Sequence, residues 1–398
     1  MKKAGSWILL TVCGIVVSSH SATIMHKFVA IDEGRSNLLY VNEADSTKNW
    51  TVPISQNTPR DLQLIGSNRV LVGHADGYLE VDLATGKILK TVTGFSGATS
   101  ARRLENGHTL LTGVNLAKST GVVVAEVDSL NAVVGKIVYP GSYSRLMRQT
   151  AKGTYLIASD TMIQEGDKTG TFFWKAPVAG FSHMWKAVRL PTGNTLISAG
   201  YGAFMVEIDP SGAIVRKFGD KTAVPTAVHP YFYAMFQLLN NGDVVVANWQ
   251  GHGDGHGASG IQLLEFDKTG AIVWQWSRAD MISSLQGILV IDSLNTSLLY
   301  DERNGIMEPI GTVANLVQSK SLPENSCSFR LVQAARSISI MPLFANVYTA
   351  AIYDLAGRCA QTFRGTGNAV LAVSKSGTYL IKCSDGINTL TRKLAYVK

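Results

Sequence analysis

His252-Gly253-Asp254-Gly255-His256 puts two imidazoles on either side of a carboxylate within five residues. These side chains are ligands for divalent transition metals, so His252, Asp254 and His256 form a candidate metal site, with His183 or His229 to complete the shell. Imidazole also titrates near neutral pH, which makes His183 and His229 candidate catalytic groups, as nucleophile or as acid and base. The alternative is a solvent-exposed glycine-rich loop whose histidines do nothing. Around them stand groups suited to binding. Arg60, Arg102, Arg145 and Lys186 could offer N–H donors to a carboxylate or sulfate, or could be ordinary arginines and lysines paired with acids. Trp249, Tyr231, Phe232 and Tyr233 could form an aromatic rim for a sugar ring, or could pack sheets together. Arg145, Lys186, Trp249 and Tyr231 are the ligand-binding candidates. No phosphate-binding glycine loop, nucleophile elbow or His-Glu-x-x-His pattern occurs, so those reaction classes lose support.

The elements that must position these residues form a repeat. An acidic residue at a turn recurs at Asp82, Asp128, Asp167, Asp209 and Asp267, at spacings of 46, 39, 42 and 58 residues, the period of propeller blades. Each unit has a glycine turn before an apolar run, as in Asn106-Gly107-His108-Thr109-Leu110-Leu111. A second run follows, ending in Glu-x-Asp at Glu126-Val127-Asp128, Glu207-Ile208-Asp209 and Glu265-Phe266-Asp267. Thr-Gly and Asn-Gly supply the positive φ of tight hairpins, and Val, Ile, Leu and Trp fill both faces of a sheet stacked between two others. Complete units fit residues 58–94, 98–139, 143–176, 183–219 and 230–277. The stretch 27–54 offers three more strands, with Asn42 at the acidic turn, and 284–300 offers the missing one. The expected fold is all-β: a six-bladed β-propeller over residues 23–310, closed by N- and C-terminal strands, with seven blades as the alternative if Leu285 to Ile310 holds two strands. In such a ring, loops entering each innermost strand and loops joining second to third strands open on one face. His183, His229, His252 and His256 should then share one mouth of the axial channel, with His74 and Asp76 in the matching loop of the second unit.

Lys2 and Lys3, the apolar run Trp7 to Val17 and small residues to Ala22 have the layout of a secretory signal peptide, residues 1–22. No later stretch reaches membrane-spanning length, so no transmembrane anchor is expected. The net charge of +7 is uneven: residues 311–398 hold ten Lys or Arg against Glu324, Asp354 and Asp385, and residues 23–310 carry a net −2. A nearly neutral propeller has no footprint for a phosphate backbone, so nucleic acid is not an expected partner. Past Cys13 the cysteines are Cys327, Cys359 and Cys383; a Cys359–Cys383 disulfide and buried free thiols are both compatible with the sequence.

Residues 311–328 read as a linker, and 329–398 as a small immunoglobulin-like β-sandwich. Ile352-Tyr353-Asp354-Leu355-Ala356-Gly357-Arg358, then Ser376-Gly377-Thr378-Tyr379-Leu380-Ile381-Lys382, then a basic strand from Arg392 to Lys398 resemble the C-terminal sorting domain of proteins handled by the type IX secretion system. That resemblance implies the secretion machinery as partner, delivery to the outer surface or medium of a Gram-negative bacterium, and removal of the tail as an option. The alternative is a binding module. The propeller resembles the broad superfamily of pyrroloquinoline-quinone-like repeats and, from His183 through Leu196 to Phe218, arylsulfotransferase-like propellers. The cofactor and calcium constellation of quinoproteins is missing from the sequence, and no catalytic residue carries over. Two functions are therefore expected to compete. One is a secreted propeller binding a glycan, peptide or small anion at the channel mouth; the other is an exported sulfuryl transferase, or a metal-assisted lyase or hydrolase of acidic polysaccharide, using the channel-mouth histidines.

Overall fold

Between Lys27 and Val290 the apolar runs form six antiparallel sheets of four strands in the computed structural model. That structure describes residues 24–294 except 56, 57, 67, 105, 151 and 178, and then 329–333, 337–342, 347–354, 359–366, 368–372, 377–384 and 389–396. The expected signal peptide, the 311–328 linker and Cys327 lie outside the described residues. The first sheet begins with β1 (Lys27–Asp32), β2 (Asn37–Asn42) and β3 (Trp50–Pro53). The second is β4–β7 (Asp61–Ile65, Arg69–His74, Gly77–Asp82, Ile88–Val92) and the third β8–β11 (Ala98–Arg103, Thr109–Val114, Val122–Val127, Val133–Tyr139). The fourth is β12–β15 (Met147–Gln149, Tyr155–Ala158, Met162–Gly166, Phe172–Pro177) and the fifth β16–β19 (Lys186–Arg189, Thr195–Ser198, Met205–Ile208, Ile214–Phe218). The sixth is β20–β23 (Phe232–Leu238, Val244–Trp249, Leu263–Phe266, Ile272–Trp276), and β24 (Leu285–Val290) returns to pair with β1.

The order in the first sheet is β24-β1-β2-β3, so the end of the domain supplies that sheet's first strand. First strands also meet one another. Gln237 on β20 donates to Val290 O and accepts from Val290 N on β24, Gln286 on β24 donates to Pro59 O ahead of β4, and Arg102 on β8 donates to Leu62 O on β4. Burial follows position in the sheet. β4, β20 and β24 are buried almost throughout, whereas β7, β11 and β19 alternate with exposed residues. Strands covered on both faces need continuous apolar runs; an outer strand needs only one apolar face.

The Glu-x-Asp repeat has two structural jobs. The aspartate caps the turn between third and fourth strands: Asp267 Oδ1 accepts from Thr269 N, Thr269 Oγ1 and Ala271 N, and Asp209 does the same with Ser211 and Ala213. Asn42 substitutes in the first sheet, accepting from Ala44 N and Asp45 N. In three sheets the glutamate reaches the next one, while Glu126 pairs with His108 and Glu207 with Arg216 in their own sheets. Glu80 pairs with Arg103 at 2.7 Å, Glu165 with Arg189, and Glu265 with His26 at 2.8 Å across the closure. A register shift falls at the glutamate in each of the five sheets that carry it, a β-bulge that re-aims the side chain.

The chain divides into two units, Met1–Asn315 and Leu316–Lys398. In the second, β25 (Phe329–Gln333), β26 (Ser337–Pro342) and β29 (Ala369–Ala372) form one sheet, in the order β25-β26-β29. β27 (Tyr348–Asp354), β28 (Cys359–Gly365), β30 (Gly377–Ser384) and β31 (Thr389–Tyr396) form the other, ordered β28-β27-β30-β31. Its core is Ile340, Tyr348, Ala350, Ile352, Leu371, Ile381 and Cys383. The disulfide option is corrected here: Cys359 and Cys383 are not joined in a disulfide. They sit on strands on opposite sides of β27, facing Tyr353 and Ala350 respectively, one thiol exposed and the other buried. Among the described residues no helix is long and apolar enough to cross a membrane.

Candidate functional site

Loops ahead of the first strands and loops joining second to third strands meet around a cavity of about 220 Å³ in the first unit. Thr58 and Arg60 come from the approach to β4, Arg145 from the approach to β12, and His183 and Trp185 from the approach to β16. Tyr201 lies between β17 and β18. Phe232 on β20, Trp249 at the end of β21, His252 beyond it, Glu33 between β1 and β2, and Gln286 on β24 complete the wall. Five of the six sheets contribute. Such convergence of distant residues is what closing the sheets on one another provides.

The charge in this wall is lopsided. Arg60 makes no ion pair among the described residues, and burial together with the nearby Arg145 guanidinium brings its pKa down to about 10, against the pull of Tyr143 and Glu33. Arg145 is lowered as well, chiefly by burial. Its guanidinium lies 4.3 Å above the Tyr143 ring and 5.4 Å from that of Trp185, and its Nε is buried without a hydrogen bond among the described residues. Burial is also the main cause that pushes the Tyr143 phenol up to about 12. Glu33 is the carboxylate among the lining residues, and it is already engaged: Oε1 is 2.8 Å from His252 Nδ1, and Oε2 accepts from Trp249 Nε1 at 3.1 Å. Trp185 Nε1 and Thr58 Oγ1 are further buried donors without a hydrogen bond among the described residues. Desolvated cations and donors facing one small volume favour an anion there.

His183 has a defined orientation. Its backbone is left-handed at φ 54, its N–H donates to Asp160 Oδ1, and its Nδ1 lies 3.1 Å from Ser182 Oγ and 3.4 Å from Asp160 Oδ1. The ring meets Tyr143 and Tyr201 edge to face. With Nδ1 held in this way, Nε2 is the ring nitrogen left for another partner.

Of the residues singled out in the sequence, Arg60, Arg145, His183, Phe232, Trp249 and His252 line this cavity. The metal-site expectation is corrected. His252 turns to Glu33, Asp254 accepts from Arg35 Nε at 2.9 Å, and His256 Nε2 faces His252 O at 3.1 Å, so the three side chains address different partners. Among the described residues there is no group of three or more His, Cys, Asp or Glu able to hold a metal. Two glycines of this loop, Gly251 and Gly257, sit where a Cβ would meet neighbouring atoms, while Gly253 and Gly255 face open space at positive φ. A Cβ on Gly34 would overlap Gly253 O and lie 2.6 Å from Ser283 Oγ, and one on Gly251, at φ 137, would lie 2.7 Å from the His256 ring.

Lys186 is also corrected. It is fully buried, its Nζ donating to Phe236 O on the neighbouring first strand and lying 4.9 Å from the Phe236 ring, outside the cavity wall. Arg102 is likewise drawn inward, to Leu62 O and Asp61. His229 is exposed and bonded through Nδ1 to Gln250 Oε1, and Tyr231 is 39 % exposed; both stand outside the lining. Tyr233 is buried, its hydroxyl donating to Gly219 O, and His74 is buried with Nδ1 accepting from Asp76 N.

Sequence reasoning missed Glu33, Tyr143, Asp160, Trp185 and Tyr201. Glu33, Asp160 and Tyr201 occupy second-to-third-strand loops in three different sheets, the same loop class as the histidine-glycine loop. Reading that loop in every unit would have found them.

No protein-family model matches the chain, and no curated protein matches it. Among solved structures, a protein of unknown function from Bacteroides caccae is similar with a TM-score of 0.55 and 20% identity, over 67% of this chain and 98% of that one. Virginiamycin B lyase from Staphylococcus aureus gives a TM-score of 0.41 at 12% identity, over 65% of this chain and 86% of that one. The WD40 β-propeller domain of Doa1 gives 0.36 at 10%, over 95% and 94%. The first likeness shows a shared fold, and the repeated four-stranded sheets described above make that fold a β-propeller.

Proposed function

We propose that the chain is an exported, surface-associated six-bladed propeller whose channel mouth binds a small ligand carrying a carboxylate or sulfate on a ring. The observation that carries this is the pairing of Arg60 and Arg145 in one aromatic-walled cavity whose carboxylate, Glu33, is held by His252 and Trp249. The volume of about 220 Å³ is below the range of about 300–1,000 Å³ of drug-sized sites, which suits one substituted ring. Export rests on the signal-like residues 1–22 and on the resemblance of the immunoglobulin-like 329–398 region to type IX sorting domains, with the secretion machinery as that region's partner. The six-sheet arrangement fits the quinone-repeat and arylsulfotransferase-like superfamily.

Trp185 and Trp249 line the cavity, so tryptophan fluorescence reports occupancy. Titration with sulfate, benzoate, glucuronate and galacturonate should give saturable quenching by at least one, lost in Arg145→Ala. An unchanged signal for all four up to about 10 mM would overturn the reading. The enzymatic alternative draws on His183 alone, whose Nδ1 is set by Asp160 and Ser182. It predicts turnover of a bound anionic glycan that His183→Ala abolishes while binding survives.

A further inference from the structure

Tyr201 and His252 are the exposed residues of the cavity wall, and the His183 side chain beside them is 45 % exposed. Tyr201, 42 % exposed, is the hub of the aromatic groups, meeting Phe232 at 4.7 Å inside and Tyr231 at 5.9 Å outside. The Tyr201 and Tyr231 rings stand at 88° to each other, so they form a corner with one open face and one bounding edge. Beyond it the Tyr231 ring stacks on His229 at 15°.

This corner is rigid. Gly200 and Tyr233 exchange both backbone hydrogen bonds across two sheets, and Tyr201 N donates to Ser182 O. Tyr231 N donates to Asn248 Oδ1, and the fully buried Asn248 spends its amide on Val228 O, His229 O and Ile261 O. Neither phenol hydroxyl has a hydrogen-bond partner among the described residues. Exposed tyrosines held this firmly, contiguous with an anion-binding cavity, have no packing role that requires their exposure.

We propose that the corner is a second subsite and that the ligand is the end of an acidic oligosaccharide. The terminal uronate fills the cavity, its carboxylate toward Arg60 and Arg145. The next sugar lies on the Tyr201–Tyr231 corner. A sugar ring suits the corner because its C–H face packs on an aromatic plane while its hydroxyls reach the phenols. A peptide would draw on backbone pairing along a strand edge, whereas what this corner presents is aromatic rings. The cavity has room for one ring, so the recognised unit is a chain end and the site discriminates ends from interiors. This inference rests on the anion-binding reading of the cavity and adds the chain to which the anion belongs.

The test is calorimetric titration of the full chain with glucuronate, galacturonate and their dimers and trimers, and with a tri-aspartate peptide. For the unmodified protein a dimer should bind about five- to tenfold more tightly than its monomer, with little more gained by the trimer. Tyr231→Ala should erase that gain and leave the monomer's affinity within about twofold, whereas Arg145→Ala should remove both. Equal affinity for monomer and dimer, equal loss for both in Tyr231→Ala, or tighter binding of the peptide than of every oligouronate would each overturn the subsite while leaving the cavity reading intact. Absence of binding by every uronate overturns the subsite too; if sulfate or benzoate still binds, the cavity reading stands, and if they also fail, it falls as well.

Discussion

Replacing His26 by Gln should change how the stability of the propeller depends on pH. His26 precedes β1 and is 6 % exposed, with Nε2 at 2.8 Å from Glu265 Oε2 on the sixth sheet and Nδ1 at 3.1 Å from Asp292 Oδ2 just past β24. Burial alone would lower its pKa. The hydrogen bonds with Asp292 and Glu265, and then their charges, outweigh burial and raise it from 6.5 to about 9. A pKa higher in the folded state stabilises it fully below the unfolded value of 6.5 and ceases to do so as pH rises through about 9. A rise of this size corresponds to about 3 kcal/mol. Glutamine keeps polar groups at this place but does not titrate. Urea unfolding at a series of pH values checks this, followed by tryptophan fluorescence, which reports the propeller alone because every tryptophan lies before residue 277. The variant should be less stable than the parent by about 3 kcal/mol near pH 6, and the gap should close as pH passes 9. Groups that titrate in both proteins cancel in the difference. A gap that stays constant from pH 6 to pH 10, or that widens with pH, would refute the assignment of His26 as a charged tie between the two ends of the domain.

Arg60→Gln should abolish anion binding yet leave the thermal midpoint unchanged or raised, because it removes one of two guanidiniums that disfavour each other; differential scanning fluorimetry with a binding titration reads both. Gly34→Ala should lower stability by about 1–3 kcal/mol and disturb the Glu33–His252 pair, since the added methyl overlaps Gly253 O and Ser283. Asp267→Ala should destabilise the propeller above pH 4, and the difference from the parent should shrink as acid titrates the Asp267 carboxyl, whose pKa is lowered mainly by the hydrogen bond from the Thr269 side chain. Deletion from residue 311 should leave the propeller folded, by circular dichroism, and should stop delivery to the cell surface in the native host; surface delivery at normal levels would remove the sorting assignment.

The repeat was legible because each sheet needs the same turn chemistry. Asp82, Asp128, Asp167, Asp209 and Asp267 stand out since a carboxylate that caps a turn cannot be exchanged freely for an apolar residue. The closure was legible because the start of the chain offers three strands where a sheet needs four. The site was only partly legible. Arg145 and Lys186 both lie near the start of a first strand, but Arg145 is just ahead of its strand and turns to the mouth, while Lys186 is inside β16 and turns to the neighbouring strand. That choice depends on a register that spacing does not give. Gly251 looked like part of a flexible frame because a missing side chain reads the same whether it grants freedom or makes room for a neighbouring ring. Glu33 and Tyr201 escaped notice as single residues in short loops, without a motif.

The return of β24 to β1 also sets the order in which the molecule can be finished. Synthesis runs from the N-terminus, so sheets two to six can each pair from neighbouring segments while β1 waits more than 250 residues for its partner. Until Leu285–Val290 is available, Phe28 to Ile31 present an unpaired edge of apolar residues, the geometry that invites pairing with another chain. The last contact to form is therefore also the one that ends this exposure, and completion is all-or-none at the final strand. Long sequence separation makes that step slow relative to the local hairpins. A chain halted before residue 285 would hold its hairpins and still lack a ring, which gives the cell a physical distinction between a finished propeller and an interrupted one.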